Sequence, residues 1–351
     1  MGYEIIFSLV HSINREKFIA EYRDISNEDL KEYVEALMRG ILKNRSYRYY
    51  KPIRETTEVN MIVQKSVREE YIEEEDQNNI AEKYLDVELE AQARIEKMNI
   101  KIREGYLIEV LLKDEEHFYY IISKVENGDY LDNETVKKRT GLPYNDKMLK
   151  SALYVFNKEK ERESILVADT AKTDYWAGKF LEIEEENQDE ICTQKIYTAI
   201  EGMIKRETIG ASEKENRSYV DYYNLRNNLI VYFKQPREFD FDEMMNCVFG
   251  KYEPEHPRLI NMNKLKDKVQ EKLLSSKYDT AFTIAPQAVK KNMKHIFKVN
   301  SCVEMNVVSG AENMRNLIEA FMQDESAYLK IKVEEDETFK AFFHNKKKYG
   351  V

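Results

Sequence analysis

The sequence predicts an α+β protein with a central antiparallel sheet flanked by helices, a helical middle region and a smaller C-terminal α+β unit. Three observations predict it. Between Gly105 and Trp176, four apolar, β-rich runs follow closely on one another, at 106–112, 117–125, 151–156 and 164–168. The polar connections at 113–116 and 157–163 are too short for crossovers, so each pair reads as an antiparallel hairpin. The runs are continuously apolar instead of alternating, which is the pattern of strands covered on both faces. Helices within 57–98 and 188–204 are expected to supply that cover.

A chain of 351 residues suits about two domains at ~150 residues each and is long enough to bury a substantial core. Boundaries are expected to give three regions: 1–182, with the sheet; 183–257, helical; and 258–351, α+β. Net charge is −10, which disfavours general anion binding. The apolar stretch from Ile5 to Val10 is too short for a leader, and no run approaches ~18 apolar residues, so neither a signal peptide nor a membrane span is expected. Cys192, Cys247 and Cys302 are odd in number and far apart. They fit buried thiols in a reducing cytoplasm better than a disulfide framework or a zinc site.

Taken in order, residues 3–13 read as a first strand. Ser26-Asn27-Glu28-Asp29 reads as a capping box. It opens an amphipathic helix on Leu30, Val34, Leu37, Met38, Ile41 and Leu42. Then comes the clearest local inversion of charge: Arg39, Lys43, Arg45, Arg48, Lys51 and Arg54 occur without an acid, interleaved with Tyr47, Tyr49 and Tyr50. From 57 to 98 the sign reverses through Glu69, Glu70, Glu73, Glu74, Glu75 and Asp76, giving one or two long helices with an acidic outer face. Further helices are expected at 216–234 and 239–249, and Pro254 and Pro257 mark the best linker. The last region carries a helical stripe on Leu265, Val269, Leu273 and Leu274. Strand character follows at 280–284, 296–299, 303–308, 328–333 and 338–343, with a helix at 311–322 and a basic tail at 346–348.

Catalytic signatures are missing from the sequence. It has no Gly-rich phosphate loop, no His-Glu-x-x-His helix and no Cys-x-x-Cys pair. The five histidines share no ligand-like spacing. Asp29-Leu30-Lys31 has a nuclease-like spacing, but an acid in a helix's first turn is already explained by the dipole. The expectation is a nonenzymatic protein without catalytic residues, metal or cofactor.

Resemblance adds to this reading. Asn79-Ile80-Ala81-Glu82-Lys83-Tyr84-Leu85 begins it, followed by Glu104-Gly105-Tyr106-Leu107-Ile108 and the hairpin ending Ser123-Lys124-Val125-Glu126. Asp129-Tyr130-Leu131-Asp132, Gly141-Leu142-Pro143, Lys147-Met148-Leu149-Lys150-Ser151-Ala152, Asp174-Tyr175-Trp176 and Phe180-Leu181 continue it. In this order they resemble the bacterial nucleoid-associated protein family of the NdpA/YejK type. The resemblance implies a cytoplasmic protein that associates with the nucleoid and binds DNA, with no catalytic motif to carry over. Self-association into a homo-oligomer is compatible with it.

The candidate nucleic-acid contacts are therefore the six bases from Arg39 to Arg54, with Tyr47, Tyr49 or Tyr50 to stack on exposed nucleobases. A second set is Lys290, Lys291, Lys294 and Lys298, on a helix opened by Pro286. Two readings of the first segment stay open: its bases pair with the acidic helix after Thr57 as an internal clasp, or they face outward to phosphates. The alternative function is a protein-interaction subunit of a multi-component system, such as one for defence against phage, presenting its acidic helical face to a basic partner.

Overall fold

A computed structural model describes residues 2–23, 28–96, 101–131, 136–142, 150–169, 174–275, 277–308 and 317–342. The fold is α+β. The chain divides into two compact units, each discontinuous in sequence. The first comprises Met1–Ile196, Arg237–Asp242 and Gln270–Ile284, and the second Tyr197–Pro236, Glu243–Val269 and Ala285–Val351.

The first unit is organised by an eight-stranded antiparallel sheet. Its strands are β1 (Glu4–Asn14), β2 (Ile19–Tyr22), β3 (Arg48–Pro52), β4 (Gly105–Lys113), β5 (His117–Glu126), β8 (Lys150–Asn157), β9 (Arg162–Asp169) and β10 (Ile183–Glu185). They lie in the order β10-β3-β9-β8-β5-β4-β1-β2. The expected hairpins are the centre of this sheet: β4 pairs with β5, β5 with β8, and β8 with β9. The first strand covers the residues expected of it, and it pairs with β4. At Gly105 the neighbouring strand comes so close that a Cβ would meet the Val125 carbonyl oxygen at 1.9 Å. Between the hairpins, β6 (Gly128–Leu131) and β7 (Lys138–Gly141) form a separate ribbon. Pro143 and Lys147 of the expected turn lie outside the described residues.

Alternation explains why the strands are apolar throughout. Leu107 and Leu111 of β4 face one cluster, with Tyr120, Ile122, Ala152 and Tyr154. Ile108, Val110 and Leu112 face another, with Ile121 and Leu153. The first cluster is capped by α2 (Glu58–Glu69), α3 (Glu74–Ile95) and a π-helical turn at Tyr175–Phe180, through Val63, Val67, Ile80, Tyr84, Trp176 and Phe180. The second is capped by α1 (Glu28–Lys43), through Val34, Leu37, Met38 and Ile41. The helix expected to share this cover at 188–204 is not part of either cluster; α1 takes its place. Its amphipathic stripe matches the sequence reading, while Ser26 and Asn27 of the expected capping box lie outside the described residues. The turn from α2 to α3 passes through Glu70 at φ 52. Ion pairs from Lys113 at 3.0 Å and Lys160 at 2.8 Å hold its carboxylate.

Helix α4 (Asp189–Ile209) contributes to both units. In the second unit, its later part packs with α5 (Tyr219–Phe233), where the Tyr197 and Phe233 rings meet edge to face at 5.7 Å. Arg226 of α5 pairs with Glu201 at 2.7 Å. A short helix α6 (Phe241–Met245) runs into a π-helical turn at Asn246–Gly250, whose Val248 carbonyl accepts from Asn228. Helix α7 is Met262–Ser275. The proline-marked linker is tied down: the backbone N–H groups of Glu255 and His256 both donate to the Asp221 carboxylate. Beyond it lie a 3₁₀ turn at Pro286–Met293, strands β11 (Lys294–Lys298), β12 (Glu304–Val308), β13 (Ile318–Gln323) and β14 (Ser326–Ile331), and helix α8 (Asp336–Phe342).

Three expectations for this end of the chain are corrected. Residues 318–322, expected to be helical, are in β13. Residues 338–342, expected to be a strand, are in α8, whose first turn carries Asp336 and Glu337. The stretch at 280–284 forms no strand, only an isolated bridge from Thr283 to Glu238. The basic tail at 346–348 lies outside the described residues. Among the described residues, no helix is long and apolar enough to cross a membrane.

Candidate functional site

Pro286 occupies the first turn of the 3₁₀ segment, and Val289, 1% exposed, fastens that segment to the second unit. Lys290 and Lys291 follow on its exposed side. The chain then extends into β11, where the side-chain period changes to two. His295 and Phe297 turn inward against Tyr223, with ring centroids 4.8 and 4.9 Å away, and Tyr223 Oη lies 2.9 Å from His295 Nε2. Burial lowers the His295 pKa, and Arg226 adds to the effect. Lys294, Ile296 and Lys298 consequently point outward.

Lys294 was expected to continue a helical face with Lys290 and Lys291. It lies on a strand instead, and shares a face with Lys298 at a separation of ~13 Å along the chain. Strand β12 pairs alongside, placing Val308 opposite Lys294 and Glu304 opposite Lys298. None of the four lysines makes an ion pair among the described residues. A two-stranded ribbon of this width is one of the elements that fits against a duplex groove.

The Arg39–Arg54 segment is divided by the fold. Arg39, Lys43, Arg45, Lys51 and Arg54 are exposed. Arg48 is not: it lies on β3, 5% exposed, pairing with Glu185 and Asp189, each at 2.6 Å, and donating to the Asn187 carbonyl. Burial alone would lower its pKa, but the hydrogen bond to Asp189 and the charge of Glu185 outweigh it and raise the value. Lys51 pairs with Glu184 at 3.1 Å and Arg39 with Glu35 at 3.5 Å. Lys43, Arg45 and Arg54 make no ion pair among the described residues. The clasp thus exists in part, but its acids come from α1, β10 and the start of α4, not from the helices after Thr57.

The tyrosines are also drawn inward. Tyr47 is buried, with its hydroxyl donating to the Ile41 carbonyl and its N–H donating to Thr280 Oγ1. The Tyr49 N–H donates to Asp279 at 2.7 Å, and Tyr50, half-buried, lies 3.5 Å from Glu185. Tyr47 is therefore unavailable for stacking. The aromatic content was the signal that a strand occupies this stretch, where β3 lies between β10 and β9.

Other chemistry-bearing groups are committed internally. A cleft of about 360 Å³ in the first unit is lined by Tyr50, Ile53, Asp169, Asp174, Glu184 and Glu185 among others. Three of its acids are held by Lys150 at 2.6 Å, Lys51 and Arg48. No group of three or more His, Cys, Asp or Glu residues among those described could hold a metal ion.

Ser218, His256 and Asp221 come together without the geometry of a nucleophilic triad. The Ser218 hydroxyl donates to Asp221 Oδ2 at 2.5 Å and lies 2.9 Å from His256 Nδ1, while that same nitrogen is 3.5 Å from Asp221. The imidazole therefore does not bridge acid and nucleophile through its two nitrogens. Ser218 is the N-cap of α5, accepting from the Asp221 N–H, and is 1% exposed. Burial, with the nearby Asp279 carboxylate, pushes the Cys192 thiol up to about 12, so it is not a reactive thiolate.

The sheet face under α3 holds the remaining buried charge. Register aligns Leu107, Lys124, Lys150 and Asp169 across four strands. Lys124, 1% exposed, reaches Glu88 of α3 at 2.5 Å, and Glu88 also accepts from Tyr84 and lies 3.6 Å from Arg15. Burial outweighs Glu88 and lowers the Lys124 pKa. His11 and Glu109 lie nearby on the same face, both fully buried. Desolvation lowers His11 to about 4 and raises Glu109 to about 7, despite the hydrogen bond Glu109 accepts from Tyr120 at 2.7 Å.

No protein-family model matches the chain, and no curated protein matches it in sequence.

Proposed function

We propose that the protein is a nonenzymatic nucleic-acid-binding protein that contacts phosphates through the lysine face of the β11–β12 ribbon and the turn before it. One observation carries this reading: Lys290, Lys291, Lys294 and Lys298 are all exposed, and none spends its charge on an acid among the described residues. Their presentation on an anchored ribbon keeps four cations together in a chain of net charge −10. The span from Lys294 to Lys298 matches the rise of about four base pairs along a duplex axis. Lys43 and Arg45, exposed at the end of α1, supply a secondary basic surface. The resemblance to nucleoid-associated proteins supports the same reading. The acidic-face alternative has less support, because Glu70, Glu73 and Asp76 already accept from Lys113, Lys160 and Lys65.

Fluorescence anisotropy with short duplexes of unrelated sequence, over a salt series, tests it. Each phosphate contact contributes about 0.9 to the slope of log affinity against log salt. Replacing the four lysines with Ser is expected to lower that slope by up to about 3.6, with equal losses on every sequence. An unchanged slope in the quadruple variant removes the ribbon from the interface.

A further inference from the structure

We propose that the middle of the β11–β12 ribbon reads A·T base pairs in the major groove of B-form DNA, through Ile296 and Asn306. The inference rests on the reading of this ribbon as a phosphate-contacting element and names the partner of that same surface. Three cross-strand pairs form the outward face: Lys294 with Val308, Ile296 with Asn306 and Lys298 with Glu304. All six side chains are exposed, while His295, Phe297, Met305 and Val307 alternate with them and are partly covered. The Ile296–Asn306 pair therefore sits midway between two lysines.

Phosphate contact alone does not account for that middle pair. Ile296 is 62% exposed, and a branched apolar side chain offers a phosphate neither charge nor hydrogen bond. Asn306 is exposed, and its amide makes no hydrogen bond among the described residues. Phosphate contacts fix position on a duplex, whereas sequence is read by groups that meet base edges. An Asn amide is bidentate for adenine N6 and N7, and an apolar side chain packs on the thymine methyl. Both features belong to the major-groove edge of one A·T pair. Side chains directly opposite one another on two strands have Cβ atoms about 4.5–5.5 Å apart, so Asn306 and Ile296 can address the two halves of a single base pair. A G·C pair presents two acceptors on its purine and no methyl group, and both matches are lost.

The inner face is fixed by the ring contacts of His295 and Phe297 with Tyr223, so the reading pair is held on a supported ribbon. The Lys294–Lys298 span of ~13 Å covers about four base pairs, which lays the ribbon along the groove with Ile296 and Asn306 over the middle of the footprint. The major groove of B-form DNA, about 12 Å wide, admits a two-stranded ribbon. The deep, narrow major groove of A-form RNA does not admit side chains, so the partner is DNA. Glu304, the one acid of this face, stands beside Lys298 at the other end from Lys294, and its repulsion of phosphate is the same on every sequence.

Fluorescence anisotropy of the full chain with three duplexes of equal length decides it: alternating A·T, the same duplex with deoxyuridine for thymidine, and alternating G·C. The wild type is expected to bind the A·T duplex about fourfold more tightly than its deoxyuridine counterpart, which lacks only the methyl groups. Over the G·C duplex the preference is expected to be at least about tenfold. Ile296→Ser should abolish the methyl-dependent difference, and Asn306→Ala should reduce the preference over G·C to about the fourfold that the methyl supplies. Both variants should keep the salt slope of the wild type, because neither side chain meets a phosphate. Equal wild-type affinity for the three duplexes, with a lysine-dependent salt slope, overturns the base reading and leaves the phosphate reading standing. A preference that survives Ile296→Ser with Asn306→Ala also overturns it. A wild type that binds none of the duplexes overturns both readings.

Discussion

Glu109 and His11 make opposite demands on the pH dependence of stability, and removing either exposes the other. Glu109 sits on β4 opposite Leu9, and His11 on β1 opposite Leu107, so the two are diagonal neighbours on one buried face. The folded state holds the Glu109 proton up to about pH 7, whereas an unfolded glutamate releases it near 4.5. Across that window the unfolded state binds fewer protons, so stability falls as pH rises. His11 does the reverse. Its folded ring stays neutral down to about 4, while the unfolded ring takes a proton near 6.5, so stability rises with pH through that window.

Integrated between about pH 5 and about pH 8, the Glu109 contribution costs about 2–3 kcal/mol and the His11 contribution returns about 2 kcal/mol. In the wild type the two contributions oppose each other, so the net slope from this pair is smaller than either alone. Glu109→Gln, which keeps an acceptor for Tyr120, is expected to gain stability with pH by about 2 kcal/mol over that range. His11→Phe, which keeps a ring beside Tyr22, is expected to lose about 2–3 kcal/mol. Urea unfolding followed by circular dichroism at the two pH values, referenced to wild type, measures both. Parallel profiles for wild type and Glu109→Gln would refute the desolvation argument.

Further outcomes are expected elsewhere. Glu88→Ala leaves Lys124 and Arg15 without their shared carboxylate and should cost about 3–5 kcal/mol, read from denaturant midpoints. The double replacement Glu88→Leu with Lys124→Met should recover most of that loss. Asp221→Ala removes the acceptor of Ser218, Tyr252 and the Glu255 and His256 amides. Limited proteolysis should then cut at residues 252–257 where the wild type resists. The donors around Asp221 outweigh its desolvation and lower its pKa, so its stabilising effect should be present near neutrality and fade as pH falls through the folded value. Gly105→Ala should destabilise by about 2 kcal/mol or more, because the added methyl meets backbone and not a movable side chain.

The central hairpins were legible because their connections are short and their apolar runs belong to both faces at once. Local pattern decided β4, β5, β8 and β9, and α1 followed from its stripe. Which bases of Arg39–Arg54 are exposed and which are paired depends on contacts that local pattern does not contain. Arg48 is hidden by Glu185 and Asp189, some 140 positions away, and a charged residue that will be matched at such distance looks like any surface base. Residues 318–322 and 338–342 were exchanged between helix and strand because a short apolar run carries little period. Asp336 and Glu337, acids ahead of Phe339, were the overlooked helix-start signal. Lys290, Lys291, Lys294 and Lys298 were legible as a basic cluster, but its shape changes at Lys294, where helical spacing gives way to strand spacing.

The row of Lys124, Lys150 and Asp169 also has a bearing on how the sheet assembles. Apolar strands rich in Val, Ile and Leu match one another in many alignments, and a core of this kind discriminates weakly among them. A slip of one residue would turn Lys150 toward the apolar α1 side, leaving an unpaired ammonium among Leu153, Val125 and their neighbours. A slip of two would keep the face but separate Lys150 from Asp169 and set it beside an aliphatic strand position. The ionic row thus acts as an alignment key: it contributes little net stability, but it makes every shifted pairing of β5, β8 and β9 costly, so that one register is selected from several of similar hydrophobic energy.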